Sequence, residues 1–196
     1  MILYLDTETT GLYPGQICQL SCIAQTRDSV KANNMFFTVD SVEYGAYLVH
    51  GFSVQKLREL SGGKKFSEQI DEVDELLRNA DVVVTHNVSF DFMFLRAEYE
   101  RVERVLKYGE TFCSMKESVP VCKLARKSGT GYKYPKLSEL CEYFDVKNFQ
   151  IENMTEKLFG EELNYHDARF DSTAVYLAVN EGIKSENAYF GLKKYL

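Results

Sequence analysis

The feature that most constrains the fold is the run Val82–Val84, which is apolar and β-branched at every position. A strand without polar alternation is typical of a sheet buried on both faces, so helices must cover both sides of it. Three earlier segments, Ile2–Leu5, Ile17–Ala24 and Met35–Val39, are predicted strands of the same sheet. Turn-forming residues at 10–15 separate the first two. The chain therefore begins with a meander of strands.

Helical periodicity marks the segments that follow these strands. Apolar residues three and four positions apart predict a helix over Ser67–Arg78, and Ser89 is a candidate N-cap for a helix that runs to about Val105. A short helix is predicted over Pro135–Tyr143 and a long one over Asp167–Asn180. Strands followed by strand–helix alternation predict the α/β class, with a mixed central sheet flanked by helices.

Length, composition and charge restrict what the chain can do. Its 196 residues, 45% of them hydrophobic, are enough for one sizeable core, and we expect a single domain over residues 1–196. The 23 basic and 29 acidic residues give a net charge of −6, which disfavours a protein that coats nucleic acid through bulk positive charge. An enzyme that holds a polyanion through bound cations fits this charge, because its site needs clustered carboxylates.

The sequence carries no sign of export or of a membrane segment. No stretch approaches the roughly 20 apolar residues of a membrane helix, and the start of the chain lacks the basic region of a signal peptide. The five cysteines have no paired CxxC spacing, so we expect reduced thiols and a cytoplasmic protein away from membranes. Cys18 and Cys22 are candidate zinc ligands, but a half-buried strand explains them better because no second pair has suitable spacing.

Asp6 and Glu8 are the first residues that indicate chemistry. Because side chains alternate along a strand, both leave the same face at the C-terminal end of the first strand. Two neighbouring carboxylates repel each other unless a cation lies between them. A solvated turn explains most Asp-x-Glu pairs, so this pair on its own is weak evidence for a site.

Asp91 and Asp171 are acidic residues on helix faces that are otherwise apolar. Asp91 lies in the first turn of its predicted helix, with Phe94 and Leu95 as neighbours at helical spacing. Asp171 lies one turn before Val175 on the apolar stripe of the last helix. The helix dipole alone would explain an exposed Asp91. A carboxylate on an apolar stripe must instead be neutralised, hydrogen-bonded or metal-bound.

Asp6, Glu8, Asp91 and Asp171 together form an oxygen-only ligand set, which suits Mg²⁺ or Mn²⁺ rather than zinc. Two such ions about 3.5–4 Å apart can clamp the attacking and leaving oxygens of a phosphodiester displacement. His166 precedes the last helix, and from that loop it can reach the site and deprotonate the attacking water near neutral pH. The chemistry that fits is phosphodiester hydrolysis.

Three motifs that contain these residues follow one another along the chain. They are Tyr4–Leu12, His86–Leu95 and Tyr165–Asp171, and Val49–Gly51 lies between the first two. In this arrangement the sequence resembles the DEDDh (DnaQ-like) 3′–5′ exonucleases, which have a ribonuclease H-like fold, over residues 2 to about 180. The resemblance implies hydrolysis of nucleic acid from 3′ ends, with release of nucleoside 5′-monophosphates.

The resemblance also implies a role for each matched residue. Asp6, Glu8, Asp91 and Asp171 would be catalytic residues that hold two divalent cations, Mg²⁺ or in its place Mn²⁺, and His166 would be the catalytic general base. Candidate substrate-binding residues in and near the motifs are Thr7, Thr9, Leu12, His50, Asn87 and Phe90. Leu12 would act as an apolar wedge against the terminal nucleotide.

Position 166 holds histidine rather than tyrosine, which selects the histidine branch of the family that the sequence resembles. Asp167 follows it directly, and two interpretations of this residue stay open. It either orients His166 or raises its pKa, or it caps the last helix, and we favour the cap. The expected substrate is single-stranded nucleic acid with a free 3′ end, either DNA alone or both DNA and RNA. A DNA polymerase is a candidate partner.

The segment Cys122–Lys136, called here the basic segment, is rich in cations and has no acidic residue. Within it, Lys123, Arg126 and Lys127 are candidate contacts to the substrate backbone, and tyrosines lie at positions 132 and 134. Basic side chains interleaved with aromatic ones suit contact with a single strand and stacking on its bases. A solvated surface loop explains the composition equally well.

Other functions fit less of the sequence. A phosphatase with an aspartyl nucleophile is an alternative suggested by Asp6 at a strand end, but Glu8 stands where a second aspartate is expected, and no Asp-Asp pair occurs. A module that binds nucleic acid without cleaving it is a second alternative, although loss of activity normally removes a ligand and all five positions are filled. RNA trimming by the same chemistry is a third, because sequence does not reveal contacts to a 2′-hydroxyl.

Overall fold

A mixed sheet runs through the computed structural model, which describes residues 1–160, 166–185 and 188–196. Within these ranges the sheet has five strands in the order β3-β2-β1-β4-β5. The strands are β1 (Ile2–Thr9), β2 (Ile17–Gln25), β3 (Val30–Phe36), β4 (Val82–Thr85) and β5 (Glu110–Cys113). Strand β1 pairs antiparallel with β2 and parallel with β4, and β4 pairs parallel with β5. The sheet therefore combines an N-terminal meander with a parallel half.

Helices cover both faces of this sheet. They are α1 (Tyr44–His50), α2 (Val54–Leu60), α3 (Phe66–Asn79), α4 (Val88–Arg101), α5 (Ser114–Glu117), α6 (Val119–Cys122), α7 (Leu137–Tyr143), α8 (Asn148–Phe159) and α9 (Ala168–Lys184), followed by a 3₁₀ turn over Phe190–Tyr195. Gly51 ends α1 and Gly160 ends α8 with positive φ angles of 75° and 77°, the left-handed conformation that glycine adopts without strain.

The alternation of side chains along the central strands divides the core into two layers. Leu3 and Val83 pack on the side of α3 and α4, whereas Tyr4 and Val82 pack on the side of α9. All three residues of Val82–Val84 are almost fully buried, which agrees with the two-sided burial expected from the sequence. The same alternation sends Asp6 and Glu8 to the α9 face and Thr7 to the α4 face.

Several boundaries differ from those predicted. The third strand is Val30–Phe36 rather than Met35–Val39, because the polar segment that begins it pairs with β2 at the edge of the sheet. Sequence periodicity also missed β5 and α8. Ser89 lies inside α4, whose N-cap position is Asn87, and that helix ends at Arg101 rather than near Val105. The last helix has Asp167 as its N-cap, as predicted, and continues beyond Asn180 to Lys184.

All five cysteines lie in the described part of the chain, where each is buried and none forms a disulfide. Cys18 and Cys22 belong to β2, as the strand interpretation of these residues requires. No helix in the described ranges is both long enough and apolar enough to cross a bilayer.

Candidate active site

Three of the predicted acidic residues meet at the C-terminal end of β1. Asp6 and Glu8 project from this strand, and Asp171 projects from the first turn of α9. One carboxylate oxygen from each of the three lies within 4.8 Å of the others. Helix α9 packs directly against β1 and β2, so residues far apart in sequence are held together by the core beneath them.

Asp91 joins these residues from the other face of β1. It lies in the first turn of α4, is only 4% exposed, and accepts a hydrogen bond from Thr7 Oγ1 at 2.9 Å. Thr7 stands between Asp6 and Glu8 in β1, so this bond ties α4 to the strand that carries the other carboxylates. Asp91 lines the same cleft as Asp6, Glu8 and Asp171, although its oxygens lie outside their tight group of three.

The pKa values of all four carboxylates are raised, in each case mainly by burial. Burial raises the pKa of Asp6 well above its ordinary range, and the charges of Asp171, Asp91 and Glu8 add to the effect. Burial and the neighbouring acids raise the pKa of Glu8 to about 8. Burial also raises the pKa of Asp91 to about 6, against the hydrogen bond from Thr7, and that of Asp171 to about 6. A divalent cation among these groups would relieve their repulsion.

His166 lies at the edge of the same cleft, two residues before α9 begins. Its side chain is exposed, and its backbone φ of 64° is in the left-handed region. Its backbone N–H donates to Asp171 Oδ2 at 3.3 Å, which places the residue beside the carboxylate group. The structure thus brings His166 to the site from a loop, as expected. Tyr165, which begins the third motif, lies outside the described residues.

Asp167 serves as the helix cap. Its side chain accepts a hydrogen bond from the backbone N–H of Arg169 and forms a two-pronged ion pair with the Arg169 guanidinium, at 2.9 and 2.8 Å. Gln19 of β2 donates to the same carboxylate and accepts from the backbone N–H of Ala168. These contacts occupy Asp167 within a buried network rather than beside the His166 ring. Sequence reasoning missed Arg169 and Gln19, because neither belongs to an acidic pattern.

Two adjoining cavities contain most of the predicted site residues. The larger, of about 620 Å³, holds the four carboxylates and His166. It is lined by Asp6, Thr7, Glu8, His86, Asn87, Phe90, Asp91, Lys136, Leu137, Ser138, His166 and Asp171. The smaller, of about 370 Å³, is lined in part by Thr9, Leu12 and His50, and it shares Thr7, Glu8 and Phe90 with the larger.

Leu12 and His50, two of the predicted substrate contacts, differ in how firmly they are held. Leu12 is 74% exposed at the mouth of the smaller cavity. The His50 ring lies with Nε2 3.2 Å from the Thr9 carbonyl oxygen, and burial lowers its pKa. His50 therefore connects the helix that it ends, α1, to the strand that carries Glu8.

The basic segment reaches the cleft at one end only. Lys123, Arg126 and Lys127 line neither of the two cavities in the described structure. Arg126 Nε donates to the Tyr132 carbonyl within a loop closed by an Ala125–Tyr132 bridge. Lys136, at the other end of the segment, lines the large cleft. Lys136 is the second residue of the helix predicted over Pro135–Tyr143, and in the structure it is the N-cap residue of α7.

The donor set fits divalent cations. Buried and half-buried carboxylates whose pKa values are raised offer oxygen ligands alone, which is the chemistry that hard cations prefer. The three residues Asp6, Glu8 and Asp171 are close enough to share one ion, and Asp91 is placed to contribute from the opposite face of β1.

Comparison with known proteins decides the family. The family model described as an exonuclease (RNase_T) matches residues 3–177. The chain belongs to the DEDDh (DnaQ-like) family of 3′–5′ exonucleases. This family depends on divalent metal ions. The resemblance drawn from the three motifs is thereby confirmed, together with the expected enzyme class, and the aspartyl phosphatase alternative does not hold.

The most similar sequences found include replication subunits. DNA polymerase III subunit epsilon of Escherichia coli (strain K12) is 30% identical over 156 residues, which covers 74% of this chain and 61% of the relative. The same subunit of Buchnera aphidicola subsp. Acyrthosiphon pisum is 28% identical over 154 residues, again covering 74% of this chain and 61% of the relative. The chain thus spans about three fifths of the length of these curated relatives.

Solved structures with this fold agree on the architecture. The nuclease domain of 3′hExo, a DEDDh family member bound to rAMP, superposes with a TM-score of 0.68 at 9% identity, covering 95% of this chain and 92% of that one. The metal-free E. coli ExoI–ssDNA complex superposes with a TM-score of 0.62 at 18% identity, covering 95% of this chain and 40% of that one. The predicted ribonuclease H-like α/β fold is confirmed.

Proposed function

We propose that this protein is a Mg²⁺-dependent 3′–5′ exonuclease that hydrolyses the terminal phosphodiester bond of single-stranded DNA and releases nucleoside 5′-monophosphates. The observation that carries the proposal is the meeting of Asp6, Glu8 and Asp171 within 4.8 Å, in a cleft that Asp91 and His166 also line. This arrangement supplies every group that metal-assisted hydrolysis of a phosphodiester needs.

Asp6, Glu8, Asp91 and Asp171 are the proposed cation ligands. Two bound divalent cations would supply Lewis acidity toward the phosphate and would lower the pKa of the attacking water. The protein's part is to hold four carboxylates at fixed positions on β1, α4 and α9. The Thr7–Asp91 hydrogen bond and the packing of α9 on β1 provide that rigidity.

His166 is the proposed general base. It lies on an exposed loop beside Asp171, so its imidazole can accept a proton from the attacking water and pass it to solvent. The Asp167–Arg169 ion pair directly after it fixes the start of α9 and, with it, the position of the loop.

The smaller cavity is the proposed site of the terminal nucleotide. Its volume of about 370 Å³ is within the range of small-molecule sites, and it opens onto the carboxylates through Thr7, Glu8 and Phe90. Thr9 and His50 offer polar contacts there, and Leu12 can pack against the base as the predicted wedge. Asn87 and Phe90 line the larger cleft, where the preceding nucleotide would lie.

DNA is the favoured substrate, and RNA is the second candidate. The similarity to DNA polymerase III subunit epsilon supports DNA and also supports a DNA polymerase as a partner. The structural likeness to 3′hExo bound to rAMP is the observation that favours RNA. Both substrates present the same phosphodiester to the carboxylates, so the distinction depends on contacts to the sugar.

The test is cleavage of matched DNA and RNA strands that carry the label at the 5′ end or at the 3′ end. With Mg²⁺ or Mn²⁺ we expect 3′-labelled strands to release labelled mononucleotide at once, and 5′-labelled strands to shorten by single nucleotides. A chelator should stop both reactions. Internal cleavage, shortening from the 5′ end, or activity that survives the chelator would contradict the proposal. Binding without cleavage under every condition would favour the non-catalytic module instead.

A further inference from the structure

The large cleft has a second wall that none of the assigned roles uses. It is the strap Pro135–Ser138, which joins the basic segment to α7 and from which Lys136, Leu137 and Ser138 line the cleft. Among the described residues that line it, Lys136 is the only lysine or arginine, and it shares the cleft with four carboxylates. A polyanionic strand that enters this cleft therefore meets a single permanent positive charge on its walls.

The ammonium group of Lys136 is available to a ligand. Its backbone N–H is fixed by a 2.8 Å hydrogen bond to Glu139 Oε2, while within the described residues its exposed ammonium makes neither a hydrogen bond nor an ion pair. Two other cations of the basic segment are committed elsewhere. Lys133 pairs with Glu139, and Arg126 donates to the Tyr132 carbonyl. In the part of the chain that the structure describes, Lys136 is thus a charge at the cleft whose ammonium is neither hydrogen-bonded nor ion-paired. The carboxyl of Glu139, whose pKa is lowered first by its hydrogen bond with Lys133, also interacts with the Lys136 charge.

His86 fixes the strap in this position. The imidazole Nε2 lies 3.1 Å from the Pro135 carbonyl oxygen, and Nδ1 lies 3.0 Å from Ser114 Oγ. A carbonyl oxygen can only accept, so Nε2 carries the proton and Nδ1 is unprotonated in the neutral ring. The one proton of the Ser114 hydroxyl has two acceptors in reach, Nδ1 and the Thr85 carbonyl oxygen at 3.2 Å. Burial lowers the pKa of His86 to about 4, which keeps the ring neutral and this arrangement constant at neutral pH. The bond joins the end of β4 to the residue before Lys136.

We propose that Lys136 binds a phosphate of the strand on the 5′ side of the scissile bond, and that His86 is the positioning residue that holds the strap for this contact. The inference rests on the proposed function, because it takes nucleic acid as the ligand of the cleft. A single ammonium near the carboxylates attracts the backbone without competing for the cations. It contributes to binding of the strand rather than to the chemical step.

The first experiment compares Lys136→Ala with Lys107→Ala, which removes the same charge from an exposed position that lines neither cavity. We expect Lys136→Ala to raise KM for single-stranded DNA by about five- to tenfold with kcat nearly unchanged, and to flatten the salt dependence by about 0.7 in log–log slope. Lys136→Arg should keep most of the affinity. Equal KM values and slopes for the two alanine variants would overturn the proposal.

The second experiment tests the positioning role. His86→Ala should raise KM, as Lys136→Ala does. The fold increase in KM for the double variant should be smaller than the product of the two single increases, because both residues act through one contact. His86→Gln retains an N–H donor for the Pro135 carbonyl and should restore part of the affinity. A loss confined to kcat, or effects that multiply in the double variant, would refute the role of His86.

A binding measurement separates failure of this inference from failure of the proposed function. The dissociation constant of a short fluorescent DNA strand is measured by anisotropy for the wild type, Lys136→Ala and Lys107→Ala, independently of cleavage. If the wild type cleaves no strand, but Lys136→Ala binds DNA more weakly than the wild type and Lys107→Ala do, the proposed activity is wrong and the proposed phosphate contact stands. If the wild type cleaves and all three bind equally, the contact is wrong and the activity stands. If no strand binds the wild type, both fail.

Discussion

The two walls of the cleft are built in different ways. The carboxylates Asp6, Glu8, Asp91 and Asp171 stand on a strand and two helices, and the buried core beneath fixes them. The second wall is the strap Pro135–Ser138, which follows the mostly exposed basic segment and is joined to the end of β4 by the contact of His86 with the Pro135 carbonyl. Groups that hold cations need fixed positions, whereas groups that follow a flexible strand benefit from freedom. The comparison predicts that changes in the first wall abolish turnover and changes in the second alter affinity.

The largest effect should come from the carboxylate wall. Asp171→Asn keeps the shape of the side chain but removes a charge from the group that holds the cations, so we expect kcat to fall by about a thousandfold or more. Asp28→Asn is the matched control, because Asp28 is exposed in a turn away from the cleft. Steady-state cleavage of end-labelled DNA and circular dichroism of each variant decide the outcome. Substantial activity in a folded Asp171→Asn variant would remove this residue from the site.

His166 tests whether the loop beside this wall takes part in the chemistry. Replacement by alanine should lower kcat by about 10²–10⁴-fold while leaving affinity for the strand nearly intact, because the base acts only in the chemical step. A variant that changes KM alone would place His166 among the substrate contacts instead, and the general base would have to be sought elsewhere.

The carboxylate wall should also make stability depend on pH and on cations. In the unfolded chain these acids lose their protons near pH 4. In the folded protein, burial and the charges of neighbouring acids raise the pKa of Glu8 to about 8, and burial raises those of Asp91 and Asp171 to about 6. Between about pH 4 and pH 8 the folded protein therefore binds more protons than the unfolded chain. Without cations, its stability should fall as pH rises through this range.

Mg²⁺ should reverse this trend, because it binds the ionised carboxylates of the folded state. Thermal unfolding in chelator and in Mg²⁺ measures the effect, and the gain in Tm should be larger at pH 8 than at pH 5. Asp171→Asn should reduce that gain. A Tm that rises with pH in chelator, or a gain from Mg²⁺ that does not depend on pH, would show that the wall is not the site of binding.

The smallest effect should come from the outer part of the basic segment. Replacing Lys123, Arg126 and Lys127 together by alanine should weaken binding of the strand and flatten its salt dependence, with turnover at saturation largely intact. Because these residues line neither cavity, we expect each to contribute less than Lys136. Unchanged affinity at low salt would make the outer segment a solvated loop. A loss of kcat would mean that this segment affects turnover, which the comparison of the two walls assigns to the carboxylates alone.

The comparison of sequence with structure follows the same division. Asp6 and Glu8 could be placed on one face of the first strand because side chains along a strand repeat every two residues. Asp171 could be placed on the apolar stripe of the last helix because side chains along a helix repeat about every 3.6 residues. The motifs gave the family, and with it the fold. Strand β3 was misplaced because edge strands are polar and lack the alternation on which prediction depends. The ion pair of Arg169 with Asp167 was missed because Asp167 was interpreted only as a helix cap.

The sequence alone determined which side chains can do the chemistry, since local periodicity and motif order depend on neighbours along the chain. Tertiary structure decided where they meet. Packing of α9 and α4 on opposite faces of β1 brings Asp171 and Asp91 to Asp6 and Glu8, and it also selected Lys136 rather than Lys123 as the cation at the cleft. Such meetings depend on burial of apolar surface between distant segments, a property of the whole core that no short stretch of sequence contains.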